Sequence, residues 1–192
     1  MTDSTISVVI NAPVEQVWSL LIEHQQSNRQ EMFEQKYSWR EPEGPPVAGQ
    51  VIHWKVWFLH MTISIERVVQ ADPPMVGQTI YTRLSFFGKS GEGVNSWVGD
   101  SERYHLQNQS ELKHPWCEAT DNTSIYCVDM DDISCVVVYV NQSEMTLRLL
   151  PRWLTQRFNT DETTEKITAK AVEASLQKIK AEAEKNMNGR KV

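Results

Sequence analysis

Cysteine is scarce in this chain. Cys117, Cys127 and Cys135 are an odd number without CxxC spacing, which excludes a disulfide framework and a zinc ribbon and makes a reducing cytoplasm the expected compartment. Excess positive charge is also missing. With 19 Lys and Arg against 25 Asp and Glu, the formal net charge is −6, and such a surface has no general attraction for phosphate backbones or anionic membranes. Nucleic acid is therefore not an expected partner, and Arg190-Lys191 beside Lys185 reads as a solvated tail. No stretch approaches the roughly 18 consecutive apolar residues of a membrane span, and MTDSTISVVINAPVEQVW lacks the basic start and unbroken apolar run of a secretion signal. Neither export nor membrane insertion is expected.

Recognisable catalytic and metal motifs are missing too. His24, His53, His60, His105 and His114 form neither HExxH nor a helical ligand pair, so no metal and no cofactor is expected. His53 and His60 fall on opposite faces if they share one strand. Asp129, Asp131 and Asp132 sit where a hairpin turn is expected, a position aspartate favours for backbone reasons alone. Cys127 and Cys135 flank that turn as small buried apolar residues. Gly88, Gly91 and Gly93 have no following Lys-Ser/Thr and no strong helix, so they do not make a phosphate loop.

What is present is ordinary globular composition. Of 192 residues, 40% are hydrophobic and 23% charged, enough apolar material for one core, and residues 1–192 read as a single domain. Thr5 to Ile10 has strand character, and Asn11-Ala12-Pro13 stops it and starts a helix. Val14, Val17, Trp18 and Leu21 form one face of that helix. His24 to Gln35 is polar and reads as a loop or short second helix. Tyr37 to Arg40 reads as a short strand, and Pro42 to Pro46 as a loop. Strands are expected over Gln50–Leu59, Met61–Ala71 and Gln78–Phe87. Alternation puts Ile52, Trp54, Val56 and Phe58 on one face, with Ile63 and Ile65 and then Ile80, Leu84 and Phe86. Residues 88–116 read as a long excursion holding one strand near Glu102–Gln107. Strands follow at Ser124–Asp129, Ile133–Asn141 and Glu144–Leu150. After Pro151 a long helix free of proline and glycine runs to about Lys185, with Asn159-Thr160-Asp161 as a possible cap. Ala169, Val172, Leu176, Ile179 and Ala183 form its single apolar stripe.

The motifs ISVVINAPVEQVWSLLIEH, GQVIHWKVW, ERVVQADPP and MTLRLLPRWLTQRF followed by TAKAVEASLQKIKAEAEK resemble, in order, the opening, central strands, last strand and terminal helix of the START-related, birch-pollen-allergen-like superfamily, which includes polyketide cyclases and dehydratases. The likeness spans nearly the whole chain, and residues 88–116 look like an enlargement of that family's pattern. It implies an α+β helix-grip fold: a curved antiparallel sheet of about seven strands around the C-terminal helix, with a cavity between them. It also implies a small hydrophobic partner, such as a lipid, polyketide or aromatic, bound by a monomer or homodimer. Oxygenase members carry a Cys/His iron–sulfur module that this chain lacks.

On that fold the expected lining is Trp54, Phe58, Ile65, Leu84 and Phe86 from the sheet with Val172 and Leu176 from the helix, removing apolar ligand surface from water at about 25 cal/mol per Å². Arg67 shares the parity of Ile63 and Ile65 and is a candidate to hold a ligand anion, whereas Arg83 should face outward. Tyr126 is a candidate polar lining residue, and Trp57, Trp97, Tyr104 and Tyr139 offer further rings. A polar pair inside the cavity, such as Arg67 with Tyr126 or Glu111, would favour a cyclase or dehydratase. A wholly apolar cavity would favour a carrier, and a filled core an interaction module of the co-chaperone kind.

Overall fold

The computed structural model describes residues 2–31, 38–56, 59–86, 88–148 and 161–189. Strand β1 (Thr2–Ile10) leads into helix α1 (Val14–Glu31). Strands β2 (Ser38–Glu41), β3 (Val51–Val56), β4 (Leu59–Gln70), β5 (Val76–Phe86), β6 (Lys89–Asp100), β7 (His105–His114), β8 (Cys117–Asp131) and β9 (Ser134–Leu147) follow. Helix α2 (Asp161–Gly189) is the last described element. All neighbouring strands are antiparallel, in the order β1-β9-β8-β7-β6-β5-β4-β3-β2, and the sheet is curved with the helices on its inner side. This is the expected α+β architecture, with nine strands rather than about seven.

Three local expectations are corrected. Residues 88–116 are not an excursion with one strand but the hairpin β6–β7, fully paired into the sheet. Gly91 and Gly93 hide the alternation there, and they are needed: a Cβ on Gly91 would lie 2.4 Å from the Lys113 carbonyl and 2.7 Å from the His114 Cα. The strands expected at Ile133–Asn141 and Glu144–Leu150 are one strand, β9, up to Leu147. Helix α1 continues past His24 to Glu31. Its polar second half carries no apolar stripe, but His24 Nε2 meets Glu182 of α2 at 3.2 Å and Gln25 Nε2 donates to Asn108 Oδ1 at 3.3 Å. His60, expected on the strand of His53, opens β4 opposite Lys55.

One large core joins both helices to one half of the sheet. Val14, Val17, Trp18 and Leu21 of α1 and Leu176, Ile179 and Ala183 of α2 bury against Val8, Ile10, Trp97, Leu106, Ile125, Cys127, Cys135 and Val137. The helical stripe was expected, although the side chain of Ala169 lies outside the described residues. Polar clasps fix the helix ends to the sheet: Lys180 Nζ donates to the Val9 carbonyl at 2.9 Å, Asn11 donates to Glu184, and Trp18 Nε1 donates to Ser101 Oγ. A second, smaller cluster of Ile52, Ile65 and Ile80 lies on β3, β4 and β5. The two clusters are separate.

Because β6 and β7 touch backbone to backbone at Gly91, Gly91→Ala should force a side-chain carbon into a well-packed strand pair and cost about 1–3 kcal/mol. Urea unfolding of the variant beside the parent checks this, and an unchanged midpoint would contradict the close approach.

Candidate functional site

Directly opposed residues of an antiparallel pair point to the same face, so the register can be followed across the sheet as rows of side chains. On the inner face, one row runs Gly99, Leu106, Ile125, Tyr139 and Ile6, and the next runs Cys127, Val137 and Val8. Both belong to the main core. Toward the other end of the sheet the rows change character. Ser4, Asn141, Thr123 and Asn108 stand in line across β1, β9, β8 and β7, and Ser143, Asp121, Ser110 and Asn95 stand in line across β9, β8, β7 and β6. Beyond them lie Ala119, Leu112 and Gly93, then Cys117, His114 and Gly91. A double row of polar side chains thus crosses the inner face next to the main core.

Three of these side chains, Asp121, Thr123 and Asn141, are bonded to one another. Asn141 Nδ2 donates to Asp121 Oδ1 at 2.7 Å and to Thr123 Oγ1 at 2.8 Å, and Thr123 Oγ1 donates to Asp121 Oδ2 at 3.2 Å. The Tyr139 hydroxyl lies 3.5 Å from Thr123 Oγ1. Asn141 and Thr123 are buried, and Asp121 and Tyr139 half-buried. Burial raises the Tyr139 phenol above its ordinary pKa; the bond with Thr123 acts against this and the Asp121 charge acts with it. Tyr139 is therefore a neutral hydroxyl at physiological pH, able to donate a proton or a hydrogen bond. A carboxyl group, an amide, a hydroxyl and a phenol within one network can orient a polar ligand group or move a proton.

The expected lining residues divide. Ile65 and Leu84 are buried on the inner face, Ile65 with Ile52 and Ile80. Phe86 is half-buried and meets His114 edge-on at 6.3 Å. His114 accepts from the Trp116 amide through Nδ1, which leaves Nε2–H to donate to the Lys89 carbonyl, so it is a satisfied structural histidine. Leu176 is buried in the main core and Val172 packs against it. Phe58 and Trp57 lie outside the described residues, as does the side chain of Trp54.

Arg67 and Tyr126 do not face the inner side of the sheet. The register slips between Ile65 and Arg67, where Ile65 opposes Thr82 but Arg67 opposes Tyr81. The extra residue of this bulge reverses the parity: Val68 takes the inner position, packed on the small cluster, and Arg67 turns outward with its guanidinium 4.0 Å from the centre of the Tyr81 ring. Tyr126, 39% exposed, stacks on His105 at 4.4 Å on the outer face. Glu111 is exposed and pairs with Lys113. Arg83 faces outward as expected and pairs with Glu66 at 2.8 Å. Of the additional rings, Trp97 and Tyr139 are on the inner face, and Tyr104 packs edge-on against Trp18 at 6.0 Å.

The aspartate turn behaves as expected: Asp131 Oδ1 accepts from Ser134 Oγ at 2.7 Å and the Ile133 amide at 3.0 Å, and the Ser134 bond is the main reason its pKa is lowered. Among the described residues no three His, Cys, Asp or Glu side chains are grouped as metal ligands.

Asn108, Ser110, Asp121, Thr123, Asn141 and Ser143 were missed from sequence. Strand β8 was expected to begin at Ser124, so Asp121 and Thr123 had no assigned face. The usable signal was their parity with Ile125 and Cys127.

No family model and no curated protein matches this chain. Solved structures do. The Zhui aromatase/cyclase of Streptomyces sp. R1128 superposes with a TM-score of 0.51 at 14% identity, covering 96% of this chain and 94% of its own. A START superfamily protein from Mycobacterium smegmatis gives 0.51 at 10% identity, covering 96% and 99%. A conserved protein from Geobacillus kaustophilus gives 0.51 at 11% identity, covering 95% of each chain. The chain thus shares the helix-grip fold of these structures.

Burial pushes the Cys127 thiol up to about 12, helped by Cys135, and the Cys135 thiol up to about 11. Both are neutral near pH 8, and only the thiolate reacts. Ellman's reagent should therefore leave Cys127 and Cys135 unmodified in the folded protein and titrate all three cysteines in denaturant. Rapid native reaction at either buried position would contradict the packing of β8 on β9.

Proposed function

We propose that this protein binds a small molecule with an apolar body and a polar group in the hollow of the sheet, the apolar part resting on the residues around Ile65, Ile80 and Leu84 and the polar part on the Asp121–Thr123–Asn141 network. One observation carries the reading. Two polar rows occupy the inner face of a helix-grip sheet, where a core built only for packing would hold aliphatic side chains. Burying polar groups costs free energy that their mutual bonds only partly recover, so a ligand that uses them gives the arrangement a purpose. The lipids, polyketides and aromatics named for this fold remain the candidate class, narrowed to members that carry a hydrogen-bonding group.

A second reading is catalytic. The Tyr139 hydroxyl and the Asp121 carboxylate both meet Thr123, and an uncharged phenol near a carboxylate is suited to proton transfer on a bound carbonyl compound, as in a cyclase or dehydratase. It is supported by the solved aromatase/cyclase of the same fold, though at 14% identity that likeness speaks to architecture only.

Native mass spectrometry of freshly purified protein, followed by organic extraction, tests the binding reading. The expected result is a reproducible adduct released by solvent. Ser110→Trp, which fills the hollow from the middle of the polar rows, should abolish the adduct and the uptake of the neutral fluorophore N-phenyl-1-naphthylamine. Equal uptake by Ser110→Trp and the parent would place binding elsewhere.

A further inference from the structure

Asp121 is the only ionisable residue in the two polar rows, and among the described residues no cation pairs with it. Its hydrogen-bond partners are Asn141 and Thr123, both uncharged, and it makes no salt bridge among the described residues. The cations described on β4, β5 and β7 and just after β9 are engaged away from it. Arg67 and Arg83 lie on the outer face with Tyr81 and Glu66, Lys113 pairs with Glu111, and Arg148 pairs with Glu118. These outer-face charges are closely paired, while the polar rows of the inner face hold one carboxylate, fixed among the described residues by neutral donors at a half-buried position.

We propose, building on the binding reading above, that the ligand carries a protonated amine that pairs with the Asp121 carboxylate. A half-buried carboxylate held, among the described residues, by neutral donors alone favours an incoming positive charge, because attraction grows as water is excluded. Asn141 and Thr123 each occupy one oxygen of the carboxylate, and each oxygen retains capacity to accept an N–H of an ammonium group. Ser110, directly opposite Asp121 in the register, offers a hydroxyl to the same group. The ring of Tyr139 and the apolar rows on either side suit an aromatic or aliphatic body. The same charge excludes ligands that end in a carboxylate, including fatty-acid anions, and the net charge of −6 adds a long-range preference of the same sign.

The test is a matched series measured by calorimetry near neutral pH: 2-(1-naphthyl)ethylamine, 2-(1-naphthyl)ethanol and 1-naphthaleneacetate. The parent protein should bind the amine about tenfold or more tighter than the alcohol, as expected of a charge-assisted bond, and bind the acetate weakest. Asp121→Asn should bring the ratio of amine to alcohol affinity to about one. Ser110→Lys, which supplies an ammonium opposite an intact Asp121, should do the same and serves if Asp121→Asn does not fold. Equal binding of amine and alcohol by the parent, or a preference that survives both substitutions, overturns the amine proposal and leaves the hollow as a binding site. If the parent binds none of the three compounds, the binding reading falls with it.

Discussion

The structure depends on the continuous register between β1, β9, β8 and β7. Each strand contributes one side chain to each inner row, so residues far apart in sequence, such as Ser4, Asn108, Thr123 and Asn141, come into line only because the pairing is unbroken over that stretch. A slip of one residue in β8 would send Asp121 and Thr123 outward and bring Thr120 and Asn122 in. The main core prevents this slip. Ile125 and Cys127 continue the same parity as Asp121 and Thr123 and are buried beneath the helices, so any shift of β8 would expose them. The apolar half of the sheet thereby holds the polar half in place.

Much of the fold was legible because its signals are local and periodic. Val172, Leu176, Ile179 and Ala183 recur at three and four residues and bury as one stripe, and Pro13 with Val17 and Trp18 marks the first helix. The failures have equally local causes. Arg67 was assigned inward by counting from Ile65, and one bulge residue reversed it. Nothing in the residues ERVV announces that bulge, since it arises from pairing with Tyr81 and Thr82 across the sheet. β6 was hidden by Gly91 and Gly93, which provide no side chain to alternate, and Gly91 allows β7 to approach closely. The polar rows were hidden by the rule that inner faces are apolar, and Asp121, Thr123 and Asn141 break it.

The cost of breaking that rule is contained by the bonds among the same residues. Asn141 donates twice, to Asp121 and to Thr123, and the Thr123 hydroxyl donates in turn to Asp121. Each buried polar atom in this set satisfies another, so the network can exist without ligand and still present fixed geometry to one. Preorganisation of this kind reduces the ordering cost of binding, and it would equally serve proton transfer if Tyr139 meets a reactive carbonyl.

Carrier and catalyst differ here by where Tyr139 stands relative to the bound group. Its phenol is held as a donor by burial and by the nearby carboxylate, and a donor that only binds needs no particular alignment with a reacting bond. A catalytic donor must lie within hydrogen-bond reach of the atom that gains the proton. Tyr139 sits in the apolar row beside Ile125 and Ile6, two rows from Asp121 with Thr123 and Asn141 between them. A ligand whose polar end is anchored at Asp121 would therefore present to Tyr139 an atom a few bonds further along its body. On the proposed reading, the spacing between the ligand's anchoring nitrogen and any carbonyl it carries decides whether this hollow holds its guest or changes it.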